Sequence, residues 1–119
     1  MQFALLCYNS EAALSRLSAP EEEKMMARVR GAEERIRKSA TITQSLRLKH
    51  TAEARFVAAG SDPLVTDGPF AETKEQLLGL WIVECDTLEE AVEAARHLAR
   101  EREFGGIEVR PLLAFNPQG

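Results

Sequence analysis

The sequence predicts an α+β domain: an antiparallel sheet covered on one side by two helices. Three observations carry this prediction. Two segments have helical periodicity and explicit start signals, Ser18 to Lys38 and Thr87 to Ala99. The segments around them switch to a period of two or to short apolar runs, as strands do. Finally, Ala59-Gly60-Ser61-Asp62-Pro63 separates two short strand-like runs and has the composition of a turn.

Size and composition set the limits. The chain has 119 residues and a mass of 13.2 kDa, which reads as a single domain over 1–119. Such a chain buries roughly 65% of its unfolded surface, enough for one modest core. Hydrophobic residues make up 45% and charged residues 29%, which excludes wholesale disorder. Aromatics are only 6%, so the core falls to Leu, Val, Ile and Ala. The net charge of −4 and pI of about 5.3 argue against a nucleic-acid partner, whose recognition needs a basic stripe. The densest basic stretch, Arg35 to Lys38, suits the C-terminal end of a helix dipole. No apolar run approaches the ~18 residues of a membrane span, so no membrane partner is expected. The apolar start, Met1 to Tyr8, lacks a basic flank and a cleavage site. It reads as a first strand of a cytoplasmic protein. Cys7 and Cys85 lie in apolar strand-like runs and are expected to be buried and reduced. There is no CxxC or Cys/His cluster, so no metal is expected.

The elements follow in order. Strand one runs from about Gln2 to Tyr8, and Ser10 can cap a short turn carrying Leu14 and Leu17. Ser18-Ala19-Pro20-Glu21 is a capping box with proline in the first turn, and three glutamates sit at the positive end of the dipole. Met25, Val29, Ala32 and Ile36 then mark one helical face. From Ile42 to His50, Ile42, Gln44, Leu46, Leu48 and His50 alternate with polar neighbours, giving a strand. Ala54–Ala58 and Leu64–Thr66 form a hairpin. Asp67-Gly68-Pro69-Phe70 is a sharp interruption, because Asp-Gly favours a turn and proline cannot donate to a ladder. Ala71 to Leu77 is read as a helical turn and Gly79 to Cys85 as a strand. Thr87-Leu88-Glu89-Glu90 opens the last helix, whose buried face is Leu88, Ala91, Val92, Ala95, Leu98 and Ala99. A strand from Ile107 to Arg110 follows. Strand, helix, strand, hairpin, strand, helix, strand is a ferredoxin-like plan with an inserted β-hairpin.

Two helices cover one face of such a sheet, and the uncovered face should alternate with polar residues. The first strand instead has Phe3, Leu5 and Cys7 on one face and Ala4, Leu6 and Tyr8 on the other. The strand ending at Cys85 is also apolar on both. A second copy of the chain is the simplest cover, so a homodimer is expected.

Few residues could carry chemistry. His97 falls on the side of the last helix away from Leu88 and reads as solvent-facing. His50 shares the parity of Ile42, Leu46 and Leu48. It is either a satisfied core or rim residue or a functional imidazole suited to acid–base work. Asp67 either bonds backbone N–H groups of its own turn or orients His50 in a pocket. Glu72, Lys74 and Glu75 read as a solvated ion-pair cluster or as ligand contacts. Arg110 lies opposite Ile107 and Val109 and either pairs with Glu84 or Glu108 or holds an anionic ligand. There is no GxGxxG, P-loop, HExxH or nucleophile elbow.

The run Val65-Thr66-Asp67-Gly68-Pro69-Phe70-Ala71-Glu72-Thr73-Lys74-Glu75-Gln76-Leu77 closely resembles the DGPF branch of the YCII-related proteins. The likeness continues through Gly79, the strand to Cys85, the helix Leu88 to Ala99, and Glu108-Val109-Arg110-Pro111. The resemblance implies a bacterial, cytoplasmic, largely uncharacterised protein whose ferredoxin-like domain pairs into a dimeric α/β barrel. It implies a small enzyme without cofactors in which Asp67, matching the motif aspartate, and His50 form an acid–base pair on a small-molecule ligand. Arg110, Lys74 and Glu72 would then contact that ligand. The alternative it implies is a non-catalytic ligand-binding or regulatory module linked to extracytoplasmic-function sigma factors. A third, by analogy of fold, is a monooxygenase of the dimeric-barrel type.

Overall fold

The computed structural model describes residues 1–114. In chain order the elements are β1 (Gln2–Asn9), α1 (Glu11–Leu14), α2 (Ala19–Ile36), β2 (Thr41–Arg47), β3 (Arg55–Val57), β4 (Val65–Asp67), β5 (Gln76–Glu84), α3 (Leu88–Ala99) and β6 (Gly106–Pro111). A single 3₁₀ turn, Thr51–Glu53, lies between β2 and β3. The main sheet has the order β2-β5-β1-β6 with every neighbouring pair antiparallel. With the β3–β4 hairpin set aside, this is the ferredoxin-like order. The hairpin is a separate two-stranded sheet that pairs Arg55 with Asp67, Phe56 with Thr66 and Val57 with Val65.

The caps form as the sequence predicts. Ser18 Oγ accepts from the Glu21 N–H at 3.2 Å, and the Glu21 carboxylate accepts from the Ser18 N–H at 2.9 Å. The Ser18 backbone N–H first, and the Ser18 hydroxyl second, hold the Glu21 carboxyl below its ordinary pKa. Ser10 Oγ caps α1 by accepting the Ala13 N–H and Thr87 Oγ1 caps α3 by accepting the Glu90 N–H, in both cases without the reciprocal bond of the box expected at Thr87. Helix α2 buries Met25, Val29, Ala32 and Ile36 as expected.

The buried face of α3 is Ala91, Ala94, Ala95 and Leu98. This corrects the expected face at four positions, one of them Val92, which is only half-buried. Leu88, in the first turn, is 44% exposed, Ala99 is exposed, and Ala94 is buried in their place. The spacing of three, four and seven from Ala91 defines a narrow stripe, and alanines along it let the helix sit close on the sheet. His97 is half-buried and faces the Arg100 guanidinium at 3.4 Å.

Two other segments differ from expectation. Strand β2 ends at Arg47, so His50 is not in it; a last ladder bond from the Leu48 N–H to the Leu78 carbonyl closes the pairing. The parity reading of β2 also fails, because Thr43 is an extra residue. Ile42 pairs with Val83, but Gln44 pairs with Ile82, so a β-bulge separates them. Ile42 therefore faces the helices while Gln44 and Leu46 face away. The bulged Thr43 donates its hydroxyl to the Ile82 carbonyl at 3.2 Å. The segment 71–75 is bends and loop, not a helical turn. Strand β5 claims Gln76 and Leu77 by pairing them with Asn9 and Tyr8.

The core lies between the sheet and α2 and α3. Phe3 and Leu5 of β1, Val83 of β5, Ile36 and Leu98 are fully buried at its centre. On the opposite face, cross-strand partners set Leu46, Leu80 and Leu6 in one row and Gln44, Ile82 and Ala4 in the next. Glu108 and Arg110 of β6 flank these rows. The two-faced character read from β1 and β5 is thus present in the structure.

Glycines test this packing in opposite directions. A Cβ on Gly79, in β5, would sit 2.4 Å from the Leu46 carbonyl oxygen of the paired strand. Backbone cannot yield there as a side chain would, so Gly79→Ala should cost ~1–3 kcal/mol of stability. Gly31 lies within α2, and a Cβ there meets only the tip of Arg35 at 3.6 Å. Gly31→Ala should gain ~0.5–1 kcal/mol. Urea unfolding of both variants checks the pair; equal effects would contradict the packing described.

Candidate functional site

His50 stands where β2 gives way to the 3₁₀ turn, and it caps that turn. Its Nδ1 accepts the Ala52 backbone N–H at 3.0 Å. A ring nitrogen that accepts carries the lone pair, so in the neutral ring the proton is on Nε2. Nε2 points toward the Glu11 carboxylate, with Oε1 at 3.8 Å. Glu11 is the first residue of α1, and its side chain is only 10% exposed against 54% for His50. Thr51 fixes this carboxylate twice: its backbone N–H donates to Oε2 at 2.8 Å and its hydroxyl to Oε1 at 2.6 Å.

Two clefts meet at His50. The larger, about 480 Å³, opens between α1 and α2 on one side and the β2–β5–β1 part of the sheet on the other. Its wall includes Glu11, His50, Met25, Val29, Trp81 and Arg102, and Cys7 and Gly79 lie at its sheet side. The smaller, about 430 Å³, lies between His50–Ala52 and the loop that carries Gly68, Pro69 and Glu72. Gln76 binds these parts together. Its side-chain oxygen accepts the Glu11 N–H at 2.9 Å, and its amide donates to the Thr73 carbonyl. Thr73 in turn donates its hydroxyl to the Glu75 carbonyl.

The sequence-predicted residues are dispersed around this junction. Asp67 is 90% exposed and its carboxylate pairs with Arg55 Nε at 3.1 Å across the hairpin. The structure therefore brings Asp67 to Arg55 and His50 to Glu11. Glu72 lines the smaller cleft; Lys74 is exposed on the same loop and lines neither cleft. Arg110 lies on the sheet face away from the helices, paired with Glu108 at 2.9 Å. Tyr8 donates to the same glutamate at 3.3 Å. The Arg110 guanidinium holds the Glu108 carboxyl below its ordinary pKa, and Glu108 in turn pushes Arg110 up. The Phe70 ring of the motif is 81% exposed and packs on Phe56 with centroids 4.9 Å apart.

Sequence reasoning missed Glu11, Thr51, Gln76, Glu33 and Arg102. Glu11 reads from sequence as an acid favouring the start of a helix, and its partner lies 40 positions away. Glu33 reads as a solvated position of α2. Its carboxylate instead accepts the Trp81 indole N–H at 2.7 Å and the Ser45 hydroxyl at 3.1 Å. Burial pushes the Cys7 thiol up, with Arg102 and Arg47 acting against that shift. Among the described residues, no group of three or more His, Cys, Asp or Glu is placed to hold a metal ion.

A family model described as the YCII-related domain matches residues 1–116. An uncharacterised protein of Rhizobium meliloti (strain 1021) is 38% identical over 119 residues, covering 98% of this chain and 96% of that protein.

Glu33 ties α2 to the sheet through the chain's one tryptophan. Glu33→Ala leaves a nearly buried indole N–H without its acceptor and should cost ~1–3 kcal/mol. Trp81 emission should shift in the folded variant, because the charged acceptor is gone. Unchanged stability and emission would show that the bond is not maintained in solution.

Proposed function

Because the chain belongs to the YCII-related family, we propose its function from the junction of the two clefts: proton-transfer chemistry on a small carbonyl compound, without a cofactor. The DGPF run Asp67-Gly68-Pro69-Phe70 supports assignment to that branch of the family. The observation that carries the reading is the pairing of a proton donor with a fixed carboxylate in one cleft wall. His50, with Nδ1 occupied by a backbone N–H, presents Nε2–H. Glu11, held by Thr51, presents an acceptor nearby.

The roles follow from these hydrogen bonds. His50 donates to the carbonyl oxygen of a bound compound and polarises it. Glu11 takes a proton from the adjacent carbon and returns it to that carbon or to another one conjugated with it. The proton leaves and re-enters the same molecule, so an isomerisation of this kind balances with no co-reactant. Each partner supplies general acid or base catalysis, worth about 10²–10⁴-fold. Asp67 takes a positioning role, since its contact with Arg55 closes the hairpin beside the motif loop.

The reading includes a homodimer. Leu6, Leu80 and Leu46 form an apolar row on the helix-free face, and a second copy of the sheet is the cover that fits it.

Two measurements test these statements. In deuterated water, wild-type protein should exchange the C–H next to the carbonyl in at least one of a panel of small oxo acids, followed by proton NMR. His50→Asn and Glu11→Gln should each slow that exchange by at least 100-fold while remaining folded. Exchange absent throughout the panel, or unchanged in both variants, defeats the chemistry. For assembly, sedimentation should give a dimer for wild type and a monomer for Leu80→Glu; a wild-type monomer defeats the dimer.

A further inference from the structure

Arg102, three residues past α3, lines the larger cleft and also a neighbouring cavity of about 200 Å³. Its Nε is shielded from solvent and has no hydrogen-bond partner among the described residues. Its Nη1 approaches only the Met25 thioether, at 3.8 Å, a weak acceptor. A guanidinium keeps its charge and has five donors to satisfy, so a shielded Nε–H without an acceptor is costly.

The nearby carboxylates do not supply the deficit. Glu101, the preceding residue, turns to Arg28 and Arg35. Glu22 pairs with Arg47 at 3.7 Å, Glu33 serves Trp81 and Ser45, and Glu11 serves Thr51. Two arginines of the cleft wall, Arg30 and Arg102, thus form no ion pair with a described carboxylate; Arg30 is exposed to water, whereas the shielded Nε of Arg102 is set beside apolar walls.

We infer that this cleft takes a small organic carboxylate with an apolar body, its carboxylate on Arg102 and its body along Met25, Val29 and Trp81. The planar fork of arginine matches a carboxylate through two parallel N–H donors. A volume of about 480 Å³ suits a compound of modest size. The inference rests on the preceding reading only in giving the ligand the same cleft. It concerns binding, and not the proton transfer.

The test uses 4-phenylbutyrate and its uncharged counterpart 4-phenylbutanol as probes. Trp81, the single tryptophan, lies in the cleft wall and reports through its fluorescence. The acid should give a saturable change and bind at least tenfold more tightly than the alcohol. Arg102→Met, which keeps an apolar stem, should remove that preference and leave the alcohol as it was. Val29→Trp fills the cleft from α2 and should weaken both probes with Arg102 intact. Equal binding of acid and alcohol to wild type, an unchanged preference in Arg102→Met, or no saturable binding of either overturns the inference. His50→Asn separates the two readings. If it and wild type bind the acid but neither catalyses exchange, only the proton-transfer reading fails. If exchange occurs without any carboxylate preference, only this inference fails.

Discussion

The β1–β5 pairing is the constraint on which the rest of the molecule depends. It sets Phe3 opposite Val83, Leu5 opposite Trp81 and Cys7 opposite Gly79, all facing the helices. Along that row the side chains shrink from a phenyl and an indole to a thiol and a hydrogen. The two helices can close on the bulky end, where the core is solid. At the Cys7–Gly79 end the sheet offers little to pack against, and the larger cleft opens over those two residues. Gly79 cannot be enlarged without striking the β2 backbone, so the same residue permits tight strand pairing and leaves the cavity.

Local signals were legible in the sequence, and contacts between distant loops were not. The capping box at Ser18 and the stripe from Met25 to Ile36 define α2 because each depends on residues within a turn or two. The strand order follows from alternating periods and from the usual layering of such elements. The bulge at Thr43 had no such mark: a threonine in a strand is ordinary, and only the partner register reveals the extra residue. It reverses the facing of everything after Ile42. That is why counting parity put Leu46 and Ile42 on one side when they lie on opposite sides. The Glu11–Thr51 contact was hidden for a related reason, since each residue has an adequate local explanation of its own.

The recognisable motif is also better understood as a chain of supports. Gly68 has a φ of +95°, which turns the backbone sharply after Asp67. Asp67 holds Arg55, and Phe70 lies on Phe56, so the two ends of the motif's turn grip the opposite strand of the hairpin. Its later residues reach the other way. Gln76 accepts from the N–H of Glu11 and donates to Thr73. A motif that looks in sequence like a catalytic loop thus connects the hairpin to the residue facing His50.

The bulge has one more consequence. With Thr43 inserted, Ser45 and Arg47 turn toward α2, where they meet Glu33 and Glu22, while Gln44 and Leu46 turn toward the helix-free face. Without it the polar pair would lie on the open face and the Leu46 side chain would turn to the helix side. The helix-free face would lose an apolar member of its central row, and α2 would lose two polar ties to the sheet edge. One extra residue therefore lets β2 serve a polar-rimmed cleft on one side and an apolar surface on the other. Strict alternation from Ile42 could not place both sets of residues this way.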